Sequence, residues 1–301
     1  MRLTFRQVRY FVAVADSGQV SSAGASIGIA QSAITEAIKA LEEELGVKLF
    51  ERRSKGLALT QEGHHFLSHA RRILSTVSDA AQALRSVSRE TSGTIRVGMT
   101  YTVIGYFITA YLARFRRAFP NVKVEVLEYE RPKLERELSK GTLDLAVMLV
   151  SNLQNHALIE SRLLVASPRQ LWLPPNHDFM RRRDITLADV ATQPYIMLTC
   201  DESEKTTMRY WQNAGLAPDV LLRTSSIEAV RSLVAHGSGV AILSDIVFRQ
   251  WSLEGDRLEA RPLVDKIPSM DIGLGWPRRR GLNAPAQAFV DFCLSEMRRQ
   301  D

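Results

Sequence analysis

Cysteine is almost missing from this chain. Cys200 and Cys293 are the whole complement, far apart in the chain and without a paired spacing. That excludes a thiolate metal cluster and fits a reducing compartment. No uncharged apolar run is long enough to span a membrane, so no membrane partner is expected. The stretch Met1 to Tyr10 has no signal-peptide core, and a cytoplasmic location is expected by default. A nucleophile elbow, a paired metal-ligand motif and a phosphate-cradling loop are missing too, and no cofactor is implied. Cys200, at a strand end, is the sole candidate nucleophile, and an enzyme is not expected. What is present is ordinary for a globular protein: 45% hydrophobic and 24% charged residues argue against disorder. The 301 residues suffice for about two domains. A formal net charge of +6 with a pI near 9.5 permits a polyanionic partner without requiring one.

The densest pattern lies near the N-terminus. Phe5, Val8, Phe11, Val12 and Ala15 recur at helical spacing, predicting a helix to about Ser17 that Gly18 ends. Ser21 or Ser22 is expected to cap the next helix, whose Ala23, Gly24 and Ile27 face inward. Gly28 makes a turn, with Ile29 plugging the core beneath it. A third helix starts near Gln31 and ends at Gly46, burying Ile34, Ile38, Leu41 and Leu45. Its other face carries Gln31, Ser32, Thr35, Glu36 and Lys39. Short polar side chains at a helix start suit contact with base edges, and free amides there favour a phosphate. Short helix, tight turn and longer helix make a helix-turn-helix, whose second helix fits the major groove of double-stranded DNA. Two apolar runs then flank Arg52-Arg53-Ser54-Lys55-Gly56, predicting a β-hairpin wing with a basic tip. Arg52, Arg53 and Lys55 are candidates for the phosphate backbone. Taken singly, such a helix pair also occurs in helical proteins that bind nothing, and a basic hairpin is often solvated surface. Their conjunction in this order points to DNA.

These residues resemble those of the LysR-type transcriptional regulators. The resemblance runs through Phe11-Val-Ala-Val-Ala15, the run from Ala25 through Gly28-Ile-Ala-Gln-Ser32, Leu41-Glu-Glu-Glu-Leu-Gly46, Leu49-Phe-Glu-Arg52 and Leu59-Thr-Gln-Glu-Gly63. It implies an N-terminal all-α winged helix-turn-helix over residues 1–60 and a linker, dimerisation helix and hinge over 61–92. A C-terminal α/β two-lobed, periplasmic-binding-protein-like effector domain would take 93–301, with lobe I about 93–165 and 268–301 and lobe II about 166–267. The resemblance also implies a homo-oligomer, commonly a tetramer that bends DNA. Two departures stand out. The family's pattern has serine then arginine or another donor where this chain has Thr35 and Glu36, and alanine at Gly24. Glu36 on a DNA face repels phosphate. It either accepts from a cytosine amino group or is neutralised by Lys39 one turn on.

Thr60 can cap a long helix to roughly Ser88. Phe66, Ile73, Val77, Ala80, Leu84 and Val87 form a stripe close to a heptad seam, which predicts a homodimer through this helix. An intramolecular bundle helix is the alternative. Arg85 to Gly93 is polar and reads as the hinge. His65 and His69 share a face beside His64, but no third ligand is in place and no Glu lies between them, so no metal is expected.

From Thr94 the pattern alternates. Strands are predicted at Ile95–Gly98, Val122–Leu127, Leu143–Val147, Tyr195–Leu198, Val220–Arg223 and Gly239–Leu243. Helices are predicted at Val103–Phe119, Pro132–Lys140, Glu204–Ala214, Ile227–His236 and Ala284–Arg299. Repeated βαβ predicts a mostly parallel sheet in two halves, with ligands at the carboxyl ends of strands. Three such ends carry Thr100-Tyr101-Thr102, Thr199-Cys200-Asp201 and Thr224-Ser225-Ser226, and Tyr129 follows another strand. Hydroxyls and free amides there suit a carboxylate, so the expected effector is a small organic or aromatic acid. Plain helix capping would explain the same residues. The resemblance likewise implies an inducer in the interlobe cleft, and it likens Gly237-Ser-Gly239 to the family's turn before a buried strand. Arg278-Arg279-Arg280 reads as a solvated loop. The leading reading is a sequence-specific DNA-binding regulator controlled by a small molecule. The alternative is a solute-binding protein without a gene-control role, against which the N-terminal module counts.

Overall fold

A computed structural model describes residues 3–53, 56–83 and 91–297, with only the backbone described at 53, 75 and 78–83. The chain divides into two units, Met1–Ser88 and Arg89–Asp301.

In the first unit, Thr4 starts α1 (Phe5–Ser17) through a capping box with Gln7, and Gly18 ends it in a left-handed conformation, φ 67°. α2 (Val20–Ile27) starts from Gln19, which is extended and gives no side-chain cap. Ser21 and Ser22, expected as caps, lie inside the first turn instead. Helical geometry begins at Val20, so neither serine has the extended backbone that a cap requires. Gly28, φ 68°, turns the chain into α3 (Gln31–Leu45). At Gly24 a methyl group would stand 2.7 Å from the Ile29 carbonyl oxygen, which accounts for glycine where the family's pattern has alanine. Val8, Phe11, Leu41, Leu49 and Ala70 make one buried cluster, and Tyr10, Val14, Ala23, Ile34 and Ile38 make another.

β1 (Phe50–Arg53) and β2 (Gly56–Leu59) pair antiparallel, with Phe50 opposite Leu59 and Arg53 opposite Gly56. Thr60 caps α4 (Gln61–Ala83), its hydroxyl accepting from the Gly63 amide at 2.9 Å. Phe66, Leu67, Ala70 and Leu74 turn α4 toward the first cluster. Ile73 and Val77, on the predicted seam, stay 40% and 47% exposed. The Ala80 side chain, Leu84, Val87 and most of the hinge fall outside the described residues.

The second unit holds two lobes. Its first part runs β3 (Gly93–Met99), α5 (Tyr101–Tyr106), α6 (Thr109–Ala118), β4 (Val122–Glu128), α7 (Arg131–Lys140), β5 (Leu145–Leu149) and β6 (Ile159–Ser167). The chain then crosses into β7 (Arg169–Leu173), α8 (Leu187–Val190), β8 (Pro194–Leu198), α9 (Ser203–Asn213), β9 (Asp219–Thr224), α10 (Ile227–Ala235), β10 (Ala241–Ser244) and β11 (Glu259–Arg261). It returns through β12 (Met270–Pro277) and ends in α11 (Ala284–Met297). Lobe I orders its strands β4-β3-β5-β12-β6, and lobe II pairs β10-β7-β11 and β8-β9. An isolated parallel bridge, Tyr195 to Val240, links the two lobe II sets.

Two expectations need correction. The sheets are mixed rather than mostly parallel: β3 is parallel to β4 and β5, but β12 runs antiparallel to β5 and β6. β6 leaves lobe I and β12 re-enters it, so the two crossing strands lie side by side and antiparallel, Met270 opposite Ser167 and Pro277 opposite Ile159. The single helix expected over Val103–Phe119 breaks at Phe107 (φ −121°, ψ −59°), where Ile108 turns fully into the lobe I core. That core includes Val97, Phe115, Leu145, Ile272 and Phe289, while Leu171, Tyr195 and Trp211 anchor lobe II. Among the described residues, no helix is long and apolar enough to cross a membrane.

Candidate nucleic-acid interface and interlobe site

The two faces of α3 do different work. Ile34, Ile38 and Leu41 are buried, which fixes the helix against α1 and α2 and leaves Gln31, Ser32, Thr35, Glu36 and Lys39 all exposed. Its N-cap, Ala30, makes no side-chain cap, so the first-turn amides stay available to an anion. The Thr35 hydroxyl donates to the Gln31 carbonyl at 2.9 Å, which leaves its oxygen as an acceptor. Lys39 does not neutralise Glu36. Its ammonium lies 3.7 Å from Glu43 on the following turn, and Glu36 has no partner among the described residues. Arg52 is exposed on β1, whereas the Arg53 side chain and all of Lys55 lie outside the described residues.

The sequence reading missed the carboxylate that ties the wing to this helix. Glu42, buried on α3, accepts from the amides of Leu49 at 2.8 Å and Phe50 at 3.2 Å and from the Lys48 ammonium at 2.7 Å. Burial pushes its pKa up, but Lys48 and the two amides outweigh burial and hold it below the usual carboxylate range. In a run of three glutamates, nothing local marks the one that turns inward. His65 and His69, with ring centroids 6.1 Å apart, border an open groove with Leu45, Val47, Leu49 and Phe66. No group of His, Cys, Asp and Glu able to hold a metal occurs among the described residues.

In the second unit, the ends of β3 and β8 meet at the lobe boundary. The Thr102 amide donates to the Asp201 carboxylate at 2.7 Å. Thr100 is buried and its hydroxyl has no partner among the described residues, while Tyr101 remains 39% exposed. Cys200 sits beside Thr102, and burial pushes its thiol up to about 12, so it is no thiolate nucleophile at neutral pH. Several of the other expected residues also make structural contacts. The Thr199 amide bonds the Thr224 carbonyl at 2.9 Å, continuing the β8–β9 ladder. Ser226 caps α10 by accepting from the Ala229 amide at 3.1 Å, and Ser225 is exposed. The Lys133 ammonium lies 3.7 Å from the ring centre of Tyr129.

Tertiary contacts add what the sequence reading missed. Arg131, 8% exposed, sends Nε and Nη2 to Glu202 at 2.6 and 2.7 Å and Nη1 to Glu135 at 2.5 Å. Arg131 holds the Glu202 carboxyl below its usual range. The Tyr106 hydroxyl donates to Glu228 at 2.8 Å, and burial, followed by that carboxylate, pushes the phenol up. The Asn152 side-chain amide reaches the Asp201 carbonyl at 3.4 Å. The one local hint was position: Arg131 opens a helix just past a strand end, and Glu202 directly follows the Thr199-Cys200-Asp201 run.

Comparisons with known proteins cover both units. Residues 5–64 match the family described as bacterial regulatory helix-turn-helix protein, lysR family, and residues 88–298 match the LysR substrate binding domain. The chain is 29% identical to the uncharacterised HTH-type transcriptional regulator YwqM of Bacillus subtilis, over 96% of this chain and 98% of that one. It is also 29% identical to the uncharacterised HTH-type transcriptional regulator YnfL of Escherichia coli, over 99% and 100%. Among solved structures, HinK, a LysR family transcriptional regulator from Pseudomonas aeruginosa, superposes with a TM-score of 0.65 at 28% identity, covering 99% of both chains.

Proposed function

The chain belongs to the LysR family of bacterial helix-turn-helix transcriptional regulators, and from that premise we propose how its own residues serve DNA binding and effector control. Residues 1–60 read DNA, 61–92 join the units, and 93–301 hold the effector between lobe I (93–165 and 268–301) and lobe II (166–267). The observation that carries the DNA reading is α3 itself: an apolar face locked in the core and a polar face wholly exposed. Gln31, Ser32, Thr35 and Glu36 address base edges, and Lys39, Arg52, Arg53 and Lys55 address phosphates. A homodimer through α4 would cover the exposed Ile73 and Val77 and set two such helices about 34 Å apart in successive major grooves. A homotetramer would add the bend.

The effector is a small organic or aromatic acid. The support is the buried Thr100 hydroxyl, unpartnered among the described residues, and the Thr102 amide at one strand end, beside Cys200 and Asp201 at the other. Tyr101, Tyr129, Ser225 and Ser226 complete the proposed surround. The role is regulatory, not enzymatic, and its place is the cytoplasm, where DNA and metabolites meet. The test is a gel shift on DNA upstream of neighbouring genes at low and moderate salt. Retardation should weaken steeply with salt. A folded chain that retards no fragment would sink the DNA reading. Thermal-shift screening against small acids tests the effector, because a ligand in excess raises the midpoint by mass action.

A further inference from the structure

Asp201 and Glu202 reach across the lobe boundary side by side. Both belong to the turn between β8 and α9 in lobe II, and both of their partners belong to lobe I. Glu202 fills the guanidinium fork of Arg131 on α7, and Asp201 takes the Thr102 amide of α5. Arg131 is more than nine-tenths buried, and Glu135 holds its remaining arm, so the fork cannot follow Glu202 if lobe II moves. Glu135 is itself anchored by the Gln154 amide at 3.1 Å.

The backbone under these carboxylates is strained. Asp201 and Glu202 hold φ of 48° and 61°, the two positive values among non-glycine residues described. Such geometry persists where surrounding contacts over-determine it, and it gathers at ligand clamps and switches. Here those contacts are the two carboxylate ties and the Asn152 bond to the Asp201 carbonyl. The Thr100 hydroxyl, buried without a partner, lies at the same strand end as Thr102.

An arginine fork matches a planar carboxylate in two parallel hydrogen bonds. The lobe I donors that an acid would use are therefore occupied by the chain's own carboxylates. We infer that Asp201 and Glu202 form an interlobe latch, and that a carboxylate ligand unties the lobes by displacing it from Arg131 and Thr102. This rests on the acid-effector reading and gives it a sign. A ligand shifts an equilibrium only by binding one state better. The donors are free only in the untied state, so the acid favours that state. A dicarboxylate meets both donors at once, and a monocarboxylate meets one.

Amide hydrogen exchange on the full chain tests the latch without any ligand. Asp201→Asn with Glu202→Gln removes both charges and keeps the shape. Asp201→Gly with Glu202→Gly removes them and relieves the backbone. Both pairs should speed exchange in peptides 100–106 and 199–206 together, by about tenfold or more. Arg131→Lys, which keeps the charge and loses the fork, should give an intermediate rise. Circular dichroism and DNA retardation by the same variants establish that they fold. Unchanged exchange in both double variants, or a rise confined to 199–206, overturns the latch. Succinate and benzoate supply the second arm. Each should speed the same peptides in the wild-type chain and bind the Asn/Gln variant about tenfold more tightly, since an internal competitor is gone. An acid that instead slows exchange in both peptides overturns the latch. If no acid binds wild type or variant, the acid-effector reading fails, while the latch stands or falls on the ligand-free arm.

Discussion

The outer face of α3 and the lobe boundary of the second unit handle charge in opposite ways. On α3, Glu36 has no partner among the described residues, and Lys39 and Glu43 meet with side chains 72% and 66% exposed. At the lobe boundary, Arg131 and its carboxylates are largely withdrawn from water and matched bond for bond. A solvent-facing surface keeps its polar groups solvated and uncommitted, since water and salt screen them cheaply. A site inside a folded unit has no such freedom. Its charges must be satisfied internally, because an unpaired charge away from water is costly.

That contrast can be broken from its strongest point downward. Arg131→Met leaves Glu135 and Glu202 facing a buried gap, and denaturant unfolding of the second unit should show a loss of about 3–5 kcal/mol. A loss the size of a surface pair's would erase the distinction between the two regions. Next, Glu42→Ala unpairs the Leu49 and Phe50 amides and should lower the stability of the first unit by about 1–3 kcal/mol. Because the folded-state pKa of Glu42 is depressed, its contribution is full above the unfolded value near 4.3 and is lost as pH falls through the folded value. Glu42→Gln should therefore flatten part of the first unit's acid destabilisation, measured by thermal melts between pH 3 and 7.

The exposed face of α3, proposed to meet DNA, calls for subtler probes. Glu36→Ala should change preference among operator bases by about tenfold if the carboxylate accepts from a cytosine amino group. Uniformly tighter binding to all sequences would make it only a charge at the rim. Lys39→Ala should give the smallest effect. It should leave melting unchanged within error and reduce the salt dependence of DNA binding by about one phosphate contact.

The first unit was legible because its signals are local. Gly18, Gly28, Gly46 and Thr60 punctuate helices whose apolar residues recur every three or four positions; α1 ends, and α3 and α4 begin, where those signals place them. The misplaced cap of α2 shows the limit, since a serine is a cap only if its backbone is extended. In the second unit the βαβ alternation was legible, but the antiparallel β12 was not. Its Met270 pairs with Ser167, a partner too distant for any local period to record. The site divides the same way. Thr100 and Ser226 were recognisable as strand-end polar residues, yet only one of them caps its helix. Arg131 and Glu202 are 71 residues apart, and each looks like any other surface charge in its own neighbourhood.

By itself, then, the amino-acid sequence determined the family, the two-part plan and the polar face that α3 leaves exposed, because helical periodicity and capping act over a few residues. Only the tertiary structure decided which charges are spent. Whether a glutamate meets water, as Glu36 does, or a buried guanidinium, as Glu202 does, depends on what long-range folding brings within 3 Å of it. Desolvation makes that choice energetically decisive.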